Sequence, residues 1–227
     1  MRRILPGWAL LGAYVLVAAL VLAANTPTVP AQEANRSYVG RIAGAEASDA
    51  LIAVVIAPDG KAIAYVCSAD DAWNQEHSRW YAGEMAPQGV LTATARDGKQ
   101  LAARVEGDVL TGTVDGLAFS ADLVTEGTAG LYRGRQGEEI HAVIEAPDGT
   151  RVGGVWYASN GRWGWTWRFS PAVAIERTPT LLRLQRPPTA PPPPGPATPP
   201  AAEPAGQQFI FIELQSCVSA FDQCGNI

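Results

Sequence analysis

The segment from Leu91 to Leu123 constrains the fold most, because it alternates apolar and polar residues through four successive runs. Short turns separate the runs, at Asp97-Gly98, Gly107-Asp108 and Asp115-Gly116. A period of two is the pattern of a β-strand with one buried face, and Asp-Gly between two such runs is a strong hairpin signal. Strands joined this tightly must be antiparallel neighbours, so the segment predicts an up-and-down meander.

The same pattern extends in both directions and predicts an all-β fold. Strands are expected near 37–44, 50–57, 61–68, 79–85, 90–96, 99–106, 109–115, 117–124, 130–135, 138–146, 150–158 and 162–169. The unbroken run of tight hairpins favours a small closed or partly closed barrel, since closure removes exposed edges, while a sandwich or open meander remains the alternative. Small inward residues in the central strands predict a filled, narrow interior.

The N-terminus predicts export. A basic start is followed by Ile4 to Ala24, a run of apolar character without a charged residue, which predicts a hydrophobic helix with everything after it outside the cytoplasm. The run is long enough to cross a bilayer, yet Val29-Pro30-Ala31 offers the small residues of a signal-peptidase site. A secreted protein cleaved near Ala31 and a protein anchored in the membrane by this helix are both open.

Composition divides the chain into five segments. These are a signal peptide or signal anchor (1–31), a linker (32–37), an antiparallel β domain (38–170), an extended Pro-rich linker (171–206) and a short C-terminal segment with two cysteines (207–227). Within the fourth, residues 187–204 are typical of a stiff polyproline II spacer.

The most unusual composition lies between Trp156 and Phe169. Strict alternation would place Trp163, Trp165 and Trp167 on one face of a strand. Their rings either fill the barrel interior, where other strands supply small residues, or form an aromatic platform for a sugar or a polyproline segment. The Pro-rich stretch docking on this face is a further hypothesis.

One irregular segment, residues 68–78, interrupts the strands. Ser68 is expected to cap a short helix with Asp70 and Asp71 in its first turn, and Trp73 is expected to cover one end of the barrel. His77 follows these acids, so the segment is either a solvated acidic loop or a weak candidate for a hard cation.

The chain offers little catalytic or cofactor chemistry. Its net charge of −5 gives no basic excess, and it has no nucleic-acid motif, so no nucleic-acid partner is expected. It has no nucleophile elbow, no zinc-type Cys or His spacing and no phosphate-binding glycine loop, so we predict no metal and no cofactor. His141, which follows Glu139 by two positions, is expected on the surface of a strand.

The cysteines leave three possibilities open. Cys217 and Cys224 can close a small internal disulfide loop. Alternatively they belong to a heptad seam of a short helix and pair with another chain, or they are free thiols. With the internal pairing, Cys67 is left as a small buried apolar residue.

The tetrapeptide Ala-Pro-Asp-Gly occurs at 57–60 and again at 146–149. Proline presets the first corner, Asp bonds to the local backbone and Gly takes the left-handed position, so one turn used twice explains the repeat. Duplication of a larger unit is the alternative.

Several segments together resemble a known kind of protein. These are YVGRIAG, LIAVVI, AYVCS, LTATARDGKQLAARVEGD, GTVDG and FSADLVTEGTAGLYRG, in this order between Tyr38 and Gly134. They are similar to an uncharacterised bacterial exported β-meander domain with no assigned activity. The resemblance implies a bacterial extracytoplasmic β domain and carries over no catalytic or binding residue.

These observations predict a non-catalytic extracytoplasmic β domain that binds or presents a partner in the bacterial cell envelope, either a protein or a glycan. The candidate binding residues are Trp73, Trp156, Trp163, Trp165, Trp167, Asp70, Asp71 and His77. Two alternatives remain: a glycan hydrolase using carboxylates of residues 69–78, and a small-molecule carrier with its site in the barrel mouth.

Overall fold

The computed structural model describes residues 34–44, 49–167, 181–185 and 209–225. Its first eight strands are β1 (Arg36–Ile42), β2 (Leu51–Ile56), β3 (Lys61–Cys67), β4 (Trp80–Met85), β5 (Val90–Ala95), β6 (Gln100–Glu106), β7 (Val109–Val114) and β8 (Leu117–Leu123). Each pairs with the next in antiparallel fashion, and β8 returns to β1 with Asp122 opposite Val39. The predicted up-and-down meander and its closure into a barrel are confirmed.

Side chains fill the barrel interior. Strands β5, β6 and β7 contribute one buried leucine each together with alanine or valine, as the alternation predicted, and Tyr38 and Tyr81 add two large buried rings. A short helix, α1 (Asp71–His77), follows β3, and its partly buried Trp73 packs against this interior cluster. Trp73 thus contacts the barrel core. Its covering of one end of the barrel stays a prediction.

The later strands form a second sheet instead of extending the barrel. This sheet has the order β12 (Arg162–Trp167), β11 (Arg151–Tyr157), β10 (Glu139–Glu145), β9 (Gly130–Gln136) and β15 (Gln215–Ser216). The strand positions agree with the sequence pattern, but a barrel built from about a dozen strands is wrong, because the barrel closes after eight.

The second sheet covers the outside of β2 and β3. Every residue of β2 is buried: Ile52, Val54 and Ile56 belong to the barrel interior, while the alternate residues Leu51, Ala53 and Val55 pack against the second sheet. A strand that is apolar on both faces needs a layer on each side, and the second sheet supplies the outer one.

One turn geometry recurs at four hairpins. In the turn at 57–60, the Ala57 N–H donates to the Lys61 carbonyl and the Gly60 N–H donates to the Ala57 carbonyl, with Gly60 at φ 87°. The same two bonds occur in the turns at 86–89, 95–98 and 146–149. Because the geometry also appears where the tetrapeptide differs, it favours a repeated turn over a duplicated unit.

The described C-terminal residues form a separate two-stranded sheet and add one short strand to the second sheet. β13 (Leu181–Gln185) pairs with β14 (Phe209–Glu213), β15 extends the sheet beside β9, and α2 (Phe221–Gly225) follows. Cys217 and Cys224 form an internal disulfide with Cα atoms 5.7 Å apart, which confirms that prediction. The helical seam between chains is wrong, because the segment around Cys217 is strand and turn.

Candidate functional site

A groove lies between the barrel and the second sheet and encloses about 1080 Å³. One side is formed by β4 and the end of β5, and the other by β9, β11 and β12. Five arginines line it: Arg79, Arg96, Arg133, Arg135 and Arg162. We call this feature the arginine groove. Asp97 is the one carboxylate among its described lining residues, in a chain whose net charge is −5.

Arg79 is held in place on several sides. Its Nε donates to Asp97 at 2.6 Å, and its Nη1 donates to the carbonyls of Ser78 at 2.6 Å and Gln75 at 3.3 Å. The guanidinium carbon lies 5.7 Å from the centre of the Trp156 ring, within the range of a cation–π contact. A guanidinium fixed in this way loses little rotamer freedom when a ligand binds.

Asp97 retains its charge to lower pH than an ordinary aspartate. Partial burial acts to raise its pKa, but hydrogen bonds from Arg79 and the Lys99 backbone, with the charges of both side chains, outweigh burial and lower it. The stabilisation from this carboxylate is therefore present above about pH 4 and is lost only as the pH falls through the lowered pKa.

The other arginines extend the positive charge along the groove. Arg96 lies beside Gly161 in the turn between β11 and β12, where an added Cβ would come within 2.9 Å of its guanidinium. Arg133 donates from Nη1 to the carbonyl of Gln223 at 2.7 Å. Burial lowers the pKa of Arg133, and the like charge of Arg135 lowers it further. Mutual repulsion of this kind is relieved when an anion binds.

Tryptophan rings form the apolar part of the groove. Trp156 is 8% exposed, and its indole Nε1 donates to the Tyr65 hydroxyl at 3.2 Å. Trp163 is partly exposed and meets Trp156 edge to face with 5.4 Å between ring centres. The Trp163 indole lies directly over Gly154, where any Cβ would overlap the ring. Trp156 therefore belongs to the core, whereas Trp163 reaches the groove.

The three tryptophans of β12 do not follow one alternation. Trp163 pairs with Trp156 while Trp165 pairs with Val155, so the register shifts by one residue between them. A β-bulge of this kind places two residues of one strand opposite one of its neighbour. The prediction that strict alternation places Trp163, Trp165 and Trp167 on one strand face is therefore wrong, because the register shifts within the strand. The side chains of Trp165 and Trp167 lie outside the described part of the structure.

The two aspartates of residues 68–78, Asp70 and Asp71, are engaged in local structure. Asp70, not Ser68, caps α1, and it accepts the Trp73 N–H at 2.7 Å. Asp71 accepts the backbone N–H of Thr166 in β12 at 2.9 Å. Both carboxylates thus hold α1 in place, and the predicted Ser68 cap is wrong because Ser68 instead donates to Asp49 at 2.7 Å.

His77, the remaining candidate from this segment, lies at the end of α1. Its ring stacks at 4.9 Å from Trp73, and its Nδ1 is 3.6 Å from an Asp115 carboxylate oxygen. Lys99 contacts the same carboxylate. Across the described residues, no three His, Cys, Asp or Glu side chains are grouped to hold a metal ion.

His141 is buried, and the expectation of a surface residue is wrong. It is 0% exposed, and its Nε2 lies 3.4 Å from Glu139 Oε2. All seven residues of β10, the third strand in the order of the second sheet, are buried, so neither face of this strand is open to solvent. In the sequence of β10 alone, the polar residues alternate as they would on a solvent-exposed face, which is why the sequence predicts a surface position for His141.

Comparisons with protein-family models, with curated proteins and with solved structures give no match. The resemblance to an exported bacterial β-meander domain therefore stays a prediction. Neither helix of the described residues combines the length and the apolar character needed to cross a membrane.

The sequence pattern does not point to the groove arginines. Arg133 and Arg135 are two positions apart and so share a strand face, which is the one local signal available. Arg79 and Arg96 belong to the barrel, and Arg162 belongs to the second sheet. Only the packing of these two parts brings the five side chains into one groove.

Proposed function

We propose that this chain is a non-catalytic binding domain of the bacterial extracytoplasmic space, and that the arginine groove binds a negatively charged ligand. The observation that carries the proposal is the charge of the groove, whose described lining residues include five arginines and one aspartate in a chain of net charge −5. Arginine suits this role because its planar group donates two parallel hydrogen bonds to a carboxylate or phosphate.

The size of the groove indicates an extended ligand. Its volume of about 1080 Å³ is at the upper end of small-molecule sites, which are typically about 300–1,000 Å³. A segment of a polymer, lying along the groove, fits this volume better than a single small anion.

Two features support the extracytoplasmic location. The leader, residues 1–31, has the basic start and apolar run of an export segment, although it lies outside the described residues. The Cys217–Cys224 disulfide is of the kind that persists in oxidising compartments.

The two alternatives have less support. A hydrolase acting through residues 69–78 would need a free carboxylate pair, whereas Asp70 and Asp71 each bond to a backbone N–H. A carrier with its site in the barrel mouth would need internal space, whereas side chains fill the barrel and Trp73 packs against them.

A titration with dextran sulfate at low salt tests the proposal, with tryptophan fluorescence of the full-length protein as the signal. We expect the protein to bind dextran sulfate with an affinity that falls as the salt concentration rises. Changing both Arg135 and Arg162 to Glu should lower this affinity by about tenfold or more. Arg104→Glu, on the exposed outer face of β6, is the matched control and should leave affinity within about twofold. Absence of binding, or an equal loss in the control, would refute the proposal.

A further inference from the structure

The arginine groove contains a carboxylate in a position that a purely anionic ligand would not favour. Asp97 lies in the wall of the groove, paired with Arg79, and the side chain is 41% exposed. Its lowered pKa keeps it charged at neutral pH. A ligand consisting only of phosphate groups would be repelled by it, whereas a ligand that also carries hydroxyl donors can bond to it.

Neutral polar side chains lie around the same charges. Gln75, Thr94 and Asn160 are exposed and line the groove, and they supply both donors and acceptors. A sugar ring needs this mixture, because each hydroxyl group donates one hydrogen bond and accepts others. The groove therefore offers neutral hydrogen-bond donors and acceptors in addition to the arginine charges that a simple anion would need.

Arg79 supplies a fixed donor for one acidic group. Its hydrogen bonds within the described residues are made by Nε and Nη1, and none of these residues is hydrogen-bonded to Nη2. Since the guanidinium is also held against Trp156, Nη2 is the part available to a ligand carboxylate. Arg96 and Arg162 are exposed and can contact further acidic groups along the chain of the ligand.

Trp163 provides the apolar contact that a sugar ring requires. Among the described tryptophans that line the groove it is the partly exposed one, while Trp80 and Trp156 are 6% and 8% exposed. An accessible indole of this kind suits the C–H face of a sugar ring.

We infer that the ligand of the arginine groove is an acidic glycan, a chain of sugar rings that bears carboxylates and free hydroxyl groups. This inference rests on the proposed function and adds the class of ligand. In it, Arg79 with the exposed arginines contacts the carboxylates, Asp97 with the neutral polar residues contacts the hydroxyl groups, and Trp163 contacts a ring face.

Four probes of matched length test the class by calorimetry on the full-length protein: oligogalacturonate, its fully methyl-esterified form, inorganic polyphosphate and oligoglutamate. We expect oligogalacturonate to bind about tenfold or more tightly than each of the others. Equal or tighter binding of polyphosphate or oligoglutamate would overturn the glycan class and leave the anionic groove intact. Equal binding of the methyl ester, or no binding by any anion, would overturn the proposed function as well.

Asp97→Asn provides a second test, because it should change the affinities for oligogalacturonate and for polyphosphate in opposite directions. Loss of the charged acceptor should weaken oligogalacturonate binding by roughly fivefold to tenfold, while loss of the repulsion should strengthen polyphosphate binding. Asp122→Asn is the control, because Asp122 is exposed on β8 outside the groove lining, and neither affinity should change. A change of the same sign for both probes would contradict the assignment of Asp97 to a hydroxyl contact.

Discussion

Cys67 illustrates how packing determines the chemistry of a single side chain. It is 0% exposed in the layer between the barrel and the second sheet, the layer that also contains the Cys217–Cys224 disulfide. Burial raises the pKa of its thiol to about 12, so the group is protonated at neutral pH. Because the thiolate is the nucleophile, Cys67 is unreactive while the protein is folded.

A thiol titration checks this environment. Without reductant, we expect the native protein not to react with Ellman's reagent. In denaturant, one thiol per chain should react, and a non-reducing gel should show monomers.

The free energy of unfolding should also fall as the pH rises above about 8.5, since the thiol then ionises in the unfolded chain while it stays protonated in the native one.

Cys67→Ala is the control for the titration and should give no thiol in denaturant. Rapid reaction in the native state, or three thiols in denaturant, would contradict the buried thiol or the disulfide respectively.

At the level of elements, α1 connects the barrel to the second sheet. Asn74 is 0% exposed; its Oδ1 accepts the Ser68 N–H at 2.8 Å, and its Nδ2 donates to the Ser68 carbonyl at 2.6 Å and to Thr166 Oγ1 at 2.9 Å. Together with the bond from the Thr166 N–H to Asp71, these contacts occupy part of the open edge of β12. The segment that interrupts the strand pattern is therefore a structural bridge.

Asn74→Ala tests the bridge. The change leaves buried backbone groups of Ser68 without partners, and we expect the free energy of unfolding to fall by about 2–4 kcal/mol, since each such group costs roughly 1–3 kcal/mol. Gln75→Ala, at an exposed position of the same helix, should change stability by less than about 0.5 kcal/mol. Equal effects of the two substitutions in urea unfolding would show that the bridge contributes little.

At the level of the whole molecule, the barrel and the second sheet share a core. Leu131 of β9 is 0% exposed and packs in the same cluster as Leu51 and Val55 of β2 and Ile63 of β3. Neither sheet can bury these faces alone, so the two should unfold together. The same packing creates the arginine groove at the margin of the shared layer.

Leu131→Ala tests this shared core. We expect the free energy of unfolding to fall by about 2–5 kcal/mol. The urea transition measured by far-UV circular dichroism and the one measured by tryptophan fluorescence should shift to lower urea together. Thr113→Ala, on the exposed face of β7, should leave both transitions unchanged. Two separate transitions, with only one displaced by the substitution, would mean that the barrel folds independently of the second sheet.

The sequence by itself determined the local structure of the β domain. Strand positions followed from the period-two alternation, and the hairpins followed from Gly, Pro and Asp in their turns, because both signals depend on neighbouring residues. The pairing of Cys217 with Cys224 was among the predicted possibilities for the same reason, since a short loop joins them. The continuous apolar run of β2 also carried a signal for a covering layer, although alternation in the other strands made a single barrel the simpler expectation.

Only the tertiary structure decided the features on which function depends. The closure after eight strands and the burial of His141 arise from contacts between distant segments. The arginine groove has the same origin, because Arg79 of the barrel meets Trp156 of the second sheet only after the two pack together. A local pattern specifies which residues share a face of a strand, but the free energy of packing between faces decides what each face contacts.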